Sequence, residues 1–185
     1  MIKTASISKK WYLVFVIISL LLVFIAQGQI ARAEFGNDSE VKLISGDTQQ
    51  NDRFGCAVAI DGDTAVVGAY RNPGDDTGAV YVFTRSGSSW VMQAKLTASD
   101  AAPKSLFGHS VGISGDTIVV GAYGTNDYTG SAYVFTRSGS SWSQQATVTA
   151  SDGAPKDEFG HSIAISGNTF VVGARASENY HGAAY

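Results

Sequence analysis

The chain has 185 residues, of which 44% are hydrophobic and only 16% charged, with 21 glycines, three prolines and a single cysteine. That composition excludes a disordered, collagen-like or disulfide-stapled chain. Residues 1–33 hold four basic and no acidic side chains, leaving nine basic against 16 acidic in the 152 that follow. Such a balance excludes a nucleic-acid binder, which needs a basic footprint to neutralise phosphates.

Met1–Lys10 is polar and basic, Trp11–Ala26 is an uninterrupted apolar run of 16 residues, and Ala31-Arg32-Ala33 follows. This three-part layout predicts a helical signal peptide over residues 1–33, cut before Glu34. Sixteen helical residues reach about 24 Å, short of a hydrocarbon core of about 30 Å. An uncleaved anchor is therefore the lesser alternative, and it is the one membrane attachment the sequence offers. The mature chain is expected outside the cytoplasm: secreted, periplasmic or at the cell surface.

After residue 40 the chain repeats itself every 52–53 residues. Phe54-Gly55 recurs as Phe107-Gly108 and Phe159-Gly160, and Asp61–Tyr70 recurs as Ser114–Tyr123 and Ser166–Arg175. Gly78–Trp90 recurs as Gly130–Trp142 and then as Gly182–Tyr185, while Ala94–Asp100 recurs as Ala146–Asp152 and, more weakly, precedes the first Phe-Gly as Val41–Asp47. A period of this length marks a repeat architecture. Within one repeat, Val58–Ile60 and Thr64–Val67 flank a tight turn at Asp61-Gly62-Asp63. Ala79–Thr84 alternates Val80 and Val82 with Tyr81 and Phe83, and Trp90–Thr97 follows a second turn at Ser86–Ser89.

The expected fold is all-β: propeller blades of four antiparallel strands, about three of them, in an incomplete ring. The boundaries read as a segment 34–53 with a latch strand, then blades 54–106, 107–158 and 159–185, the last incomplete. Val41–Ile44 is expected to complete the outer edge of a last blade, so the remaining blades of a ring are themselves expected partners. Small residues Ala57 and Ala59, and Ser110 and Gly112, alternate with Val58 and Ile60, and Val111 and Ile113. They are expected to let the next blade approach.

The run from Phe54-Gly55 to Gly68-Ala69, repeated at 107–122 and 159–174, resembles the FG-GAP repeat of integrin-α-like β-propellers, in its secreted bacterial form. The resemblance implies a ring used to bind extracellular proteins or glycans rather than for catalysis. Two departures stand out. The third residue of the GAP triplet is Tyr70, Tyr123 or Arg175 in place of Pro. The acidic loop of the family's calcium-binding copies is also absent, replaced by the short turns 61–63, 114–116 and 166–168. These cannot wrap an ion that wants six to eight oxygens, so no cofactor is expected.

Several residues invite chemistry. Cys56, His109 and His161 each follow a Phe-Gly, but equivalent positions on neighbouring blades are expected to lie too far apart to share an ion. Cys56 reads as a small buried residue rather than a nucleophile. The recurring aromatics are assigned to the core between blades. The loops after each second strand, 71–77, 124–129 and 176–181, vary while the strands do not. Their Arg71, Asn72, Asp75, Asp76, Asn126, Asp127, Tyr128, Glu178, Asn179 and Tyr180 are the candidate ligand contacts. The leading expectation is a non-enzymatic binding or adhesion module. The alternative is the propeller portion of a larger extracellular hydrolase or lyase with its catalytic domain beyond residue 185.

Overall fold

The structure is a computed structural model that describes residues 40–47, 49–71, 74–177 and 181–185. The predicted signal segment lies outside these residues, as do Asn72, Glu178, Asn179 and Tyr180. Three antiparallel meanders follow one another along the chain. The first comprises β1 Val58–Asp61, β2 Thr64–Ala69, β3 Ala79–Ser86 and β4 Ser89–Leu96, and the second β5 Ser110–Ser114, β6 Thr117–Ala122, β7 Ser131–Ser138 and β8 Ser141–Val148. The third holds β9 Phe159–Ser166, β10 Thr169–Ala174 and the two-residue β11 Ala183–Ala184. The all-β, blade-like architecture is the one expected from the repeats.

Each strand forms where β-branched and aromatic residues alternate, and each hairpin turns at a glycine in the left-handed region: Gly62, Gly115 and Gly167 at φ 53° to 56°. A β-bulge recurs at the same place in the first two blades, between Val82 and Phe83 and between Val134 and Phe135. The bulge leaves Gln93 unpaired on β4, and its Oε1 accepts the Trp142 indole N–H of the second blade at 2.8 Å.

The second blade is packed on both faces. Val66, Val80, Val82, Leu96 and Ala98 of the first blade share one buried cluster with Phe107, Val111, Ile113, Ile118, Val120, Tyr133 and Phe135 of the second. Val119 and Ala132 of the second blade join Phe159, Val172 and Ala174 of the third in another. The small residues behave as expected: Ala57 and Ala59 pack on the second blade, and a Cβ on Gly112 would press on Ile163 and Ile165.

The seam between blades is made of main chain. The N–H groups of Lys104, Leu106 and Phe107 donate to the carbonyls of Asp75, Asp76 and Thr77 at 2.6, 3.0 and 3.0 Å. Those of Lys156, Glu158 and Phe159 donate to Asp127, Tyr128 and Thr129 at 3.1, 2.8 and 3.0 Å. To make this turn the chain places Lys104, Leu106 and then Gly108 in the left-handed region, and likewise Lys156, Glu158 and Gly160. The Phe-Gly glycines sit at φ 88° and 89°, and the carbonyls of Gly108 and Gly160 occupy the space that a Cβ on Gly68 and Gly121 would need. The repeated Phe-Gly and Gly-Ala pairs are thus two halves of one contact.

One expectation changes. Residues 41–45 form no strand, because the latch position needs the third strand of another blade to pair with, and none is presented there among the described residues. The segment instead lies against the first blade: Leu43 packs beside Tyr81 and Phe83, and Asp47 accepts a hydrogen bond from Lys95 Nζ at 2.6 Å.

Replacing Gly121 with Ala forces its Cβ onto the Gly160 carbonyl and the Ser110 hydroxyl, whereas an alanine at Gly62 meets open space and only a left-handed φ. In urea denaturation, Gly121→Ala is expected to cost roughly 3 kcal/mol and Gly62→Ala about 1 kcal/mol. Equal losses would contradict the seam described here.

Candidate functional site

Because β1 and β2 are antiparallel, the residue after Phe-Gly lies beside the residue after Gly-Ala. The same holds in the second and third blades. The two rows are Cys56, His109 and His161, and Tyr70, Tyr123 and Arg175. The close seam draws them into one stripe across three blades. His109 sits edge-on to Tyr70 and Tyr123, with ring centroids 5.3 and 4.5 Å apart. It also lies 4.9 Å from His161, and Tyr123 lies 5.3 Å from His161. The Cys56 thiol donates to the Gly108 carbonyl at 3.4 Å.

This corrects the expectation that equivalent residues of adjacent blades stay apart. The first strands converge at their Phe-Gly ends, so His109 and His161 touch. It also gives the Tyr70, Tyr123 and Arg175 departures a role that the sequence reading missed. The sequence offered no signal for it, since the repeat with Cys56 carries a Tyr in place of the motif's Pro just as the two repeats with His carry a Tyr or an Arg.

The electrostatics favour neutral rings. Burial, together with the neighbouring His161, holds His109 below the usual imidazole value of 6.5. Burial and the Arg175 charge lower His161 as well. His109 Nδ1 is buried without a hydrogen-bond partner. Cys56 is exposed, not the buried residue expected, because no further blade packs on its side among the described residues; desolvation by the adjacent backbone still raises its thiol, so it stays protonated at neutral pH and is a poor nucleophile. Arg175 closes the stripe by pairing with Glu158 at 2.7 Å.

Tyr123 links the stripe to the loop 124–129 through Tyr128, whose ring lies 6.0 Å away. Asn126, Asp127 and Tyr128 are exposed and stand at φ 48°, 55° and 64°, three successive left-handed residues without a glycine. Asn and Asp tolerate this conformation, but Tyr does so only under constraint. The constraint is visible: the Asp127 and Tyr128 carbonyls are pinned by the third blade, and the Asn126 carbonyl accepts both the N–H and the hydroxyl of Thr129 at 3.1 and 2.8 Å. The backbone is thereby committed to the seam while the three side chains face solvent.

Beside this loop runs a polar groove of about 280 Å³, lined by Asp100, Lys104, Ser105, Asn126, Asp127 and Tyr128 among others. Tyr133 also lines it, with its phenol pushed far above the usual value by burial and by Asp100.

The equivalent loop of the first blade is plainer. Arg71 and Asp75 are exposed and Asp76 is half-buried. The Asp75 carboxylate accepts the Thr77 N–H at 3.1 Å and its hydroxyl at 3.0 Å, as a turn-forming aspartate does. The Arg71 guanidinium lies over the Tyr70 ring at 5.8 Å. The structure therefore brings Asn126, Asp127 and Tyr128 together at a groove and leaves Asp75 and Asp76 serving the turn and seam.

The carboxylates of the hairpin turns do not fit a calcium ion. Asp63 and Asp116 are held by Arg85 and Arg137 at 2.8 and 2.7 Å, and Asp61 accepts the Gly115 N–H at 2.5 Å. Among the described residues no group of three or more His, Cys, Asp or Glu is placed to hold a metal.

A family model for the FG-GAP repeat matches residues 38–83, 90–135 and 142–185. The second and third matched segments begin in the outer strand of one blade and end in the third strand of the next, and the first begins in the segment before Phe54. A comparison with curated proteins finds no match.

Since His109 and His161 bind protons less readily in the fold than in the unfolded chain, the unfolded state takes up more protons once pH falls below 6.5. Stability is therefore expected to drop between pH 7.5 and 5.5, and a His109→Gln, His161→Gln double variant should show a flatter profile. Urea midpoints at the two pH values measure this, and an identical pH dependence in the variant would refute it.

Proposed function

The chain belongs to the FG-GAP repeat family, and on that premise we propose that it is an exported, non-enzymatic binding module that recognises an extracellular protein or glycan. The observation that carries this reading is the loop at Asn126, Asp127 and Tyr128. Residues held in a left-handed conformation at a solvent-facing position are retained where the strain serves a function, and here the surrounding main chain bears the cost. The groove beside the loop supplies hydroxyls, a lysine and carboxylates, and the Tyr123 and Tyr128 rings supply apolar faces. That mixture of aromatic surface and hydrogen-bonding groups suits a polar ligand such as a saccharide face or a peptide loop. Export is supported by the basic, apolar and small-residue layout of residues 1–33.

Replacing Asn126, Asp127 and Tyr128 together by Gly removes the side chains while leaving a backbone that accepts the same φ. Binding to immobilised glycans and to extracellular protein fractions is expected to weaken at least tenfold, about 1.4 kcal/mol, with an unchanged circular-dichroism spectrum. Unaltered binding in the folded variant would overturn this assignment.

A further inference from the structure

The groove between residues 100–105 and the loop 124–129 is arranged for one small, hydroxyl-rich molecule, and we propose that it takes a neutral sugar ring. This inference rests on the ligand-binding reading above and narrows it to one chemical class at one site.

A comparison of the first two blades carries it. In every repeat a tyrosine stands beside an aspartate from the segment before Phe-Gly: Tyr81 beside Asp47, Tyr133 beside Asp100, and Tyr185, whose hydroxyl donates to Asp152 at 2.7 Å. In the first blade Lys95, the partner of Tyr81 across β3 and β4, completes the group. Its Nζ lies 2.6 Å from the Asp47 carboxylate and 5.3 Å from the centre of the Tyr81 ring. In the second blade the partner of Tyr133 across β7 and β8 is Thr147, whose hydroxyl accepts a hydrogen bond from Gln144 at 3.2 Å. Asp100 therefore keeps the tyrosine but has no ion-pair partner among the described residues. Where lysine closes the first blade, the second has an open groove of about 280 Å³.

Three more side chains lining the groove make no hydrogen bond or ion pair among the described residues: the Lys104 ammonium, the Asn126 amide and the Asp127 carboxylate. Their backbones are held in the left-handed region, at φ 66°, 48° and 55°, by the hydrogen bonds of the seam and of Thr129. Groups fixed before a ligand arrives lose little freedom when it binds. A sugar hydroxyl both donates and accepts, so neighbouring hydroxyls can donate to Asp100 and Asp127 while accepting from Lys104 and Asn126. The Tyr128 ring at the same rim offers an apolar face to the C–H side of the sugar. Simple ions suit the groove less well, since an anion meets two carboxylates and a cation meets the ammonium. Its volume lies near the lower end of the range of about 300 to 1,000 Å³ for small-molecule sites, and its mostly polar lining offers no pocket for the apolar anchor of a peptide.

Amide NMR of the full chain, titrated in turn with the methyl glycosides of glucose, galactose and mannose and with glycine, tests this. At least one glycoside is expected to shift the amides of Lys104, Asn126, Asp127 and Tyr128. Thr147→Lys places in the second blade the lysine that closes the first, and it is expected to weaken that glycoside's binding by roughly tenfold or more. Lys104→Ala should weaken it as well, whereas Ser143→Lys, the same charge at an exposed position further along β8, should leave it unchanged. The proposal is overturned if no glycoside moves these amides, if glycine moves them and the glycosides do not, or if Thr147→Lys and Lys104→Ala, both folded by circular dichroism, bind as the natural chain does. Should the glycosides fail while the triple glycine variant of the loop still loses binding to an extracellular protein fraction, the sugar assignment falls and the binding-module reading stands.

Discussion

Everything in residues 41–185 depends on how closely one blade's main chain approaches the next. The carbonyl of each Phe-Gly glycine lies where a side chain on the preceding blade's Gly-Ala glycine would stand. A Cβ on Gly68 or Gly121 would collide with that carbonyl. Once it is reached, three backbone hydrogen bonds join the loop before Phe107 to the loop after β2, and three more repeat the arrangement at Phe159. Phe107 and Phe159 then drop into the cores between blades. The motif is a mechanical device first: two glycines to admit the approach and one aromatic ring to fill the space beside it.

The candidate site is a by-product of the same approach. Bringing first strands together at their Phe-Gly ends collects one side chain from each blade into a stripe, so a repeat with modest variation at two positions generates a composite surface. Pinning the carbonyls of Asp127 and Tyr128 to the third blade likewise fixes a loop whose side chains are free to vary. Scaffold and recognition are separated at the level of the residue, with main chain serving the seam and side chains facing solvent. This separation explains how the variable loops can differ between repeats without disturbing the blades.

The strands were legible because alternation of β-branched and aromatic residues survives in every copy, and because glycine marks each hairpin turn. The facing of small against large residues could be read from Ala57, Ala59, Ser110 and Gly112 for the same reason. What escaped was anything decided between repeats. The left-handed Lys104, Leu106, Lys156 and Glu158 share no residue type that marks the conformation, and Asn51 and Arg53 adopt it before Phe54 as well, so the turn belongs to the Phe-Gly segment itself and the interblade hydrogen bonds build on it. The contact of His109 with His161 depends on the convergence angle of successive sheets, which periodicity does not encode. Tyr123 looked like a loosened motif position, yet it is the link between the histidines and the exposed loop. The sequence placed Asn126, Asp127 and Tyr128 on a loop, but the strain that singles them out exists only in three dimensions.

Amide hydrogen exchange tests the dominance of the seam most directly. If main-chain pairing between blades holds the stack together, the amides of Leu106, Phe107, Glu158 and Phe159 exchange as slowly as those of β2, β3, β6 and β7 and in the same cooperative unit. Exchange at these four amides as fast as at the exposed turn residues Ser88 and Ser140, while the strands stay protected, would contradict the account.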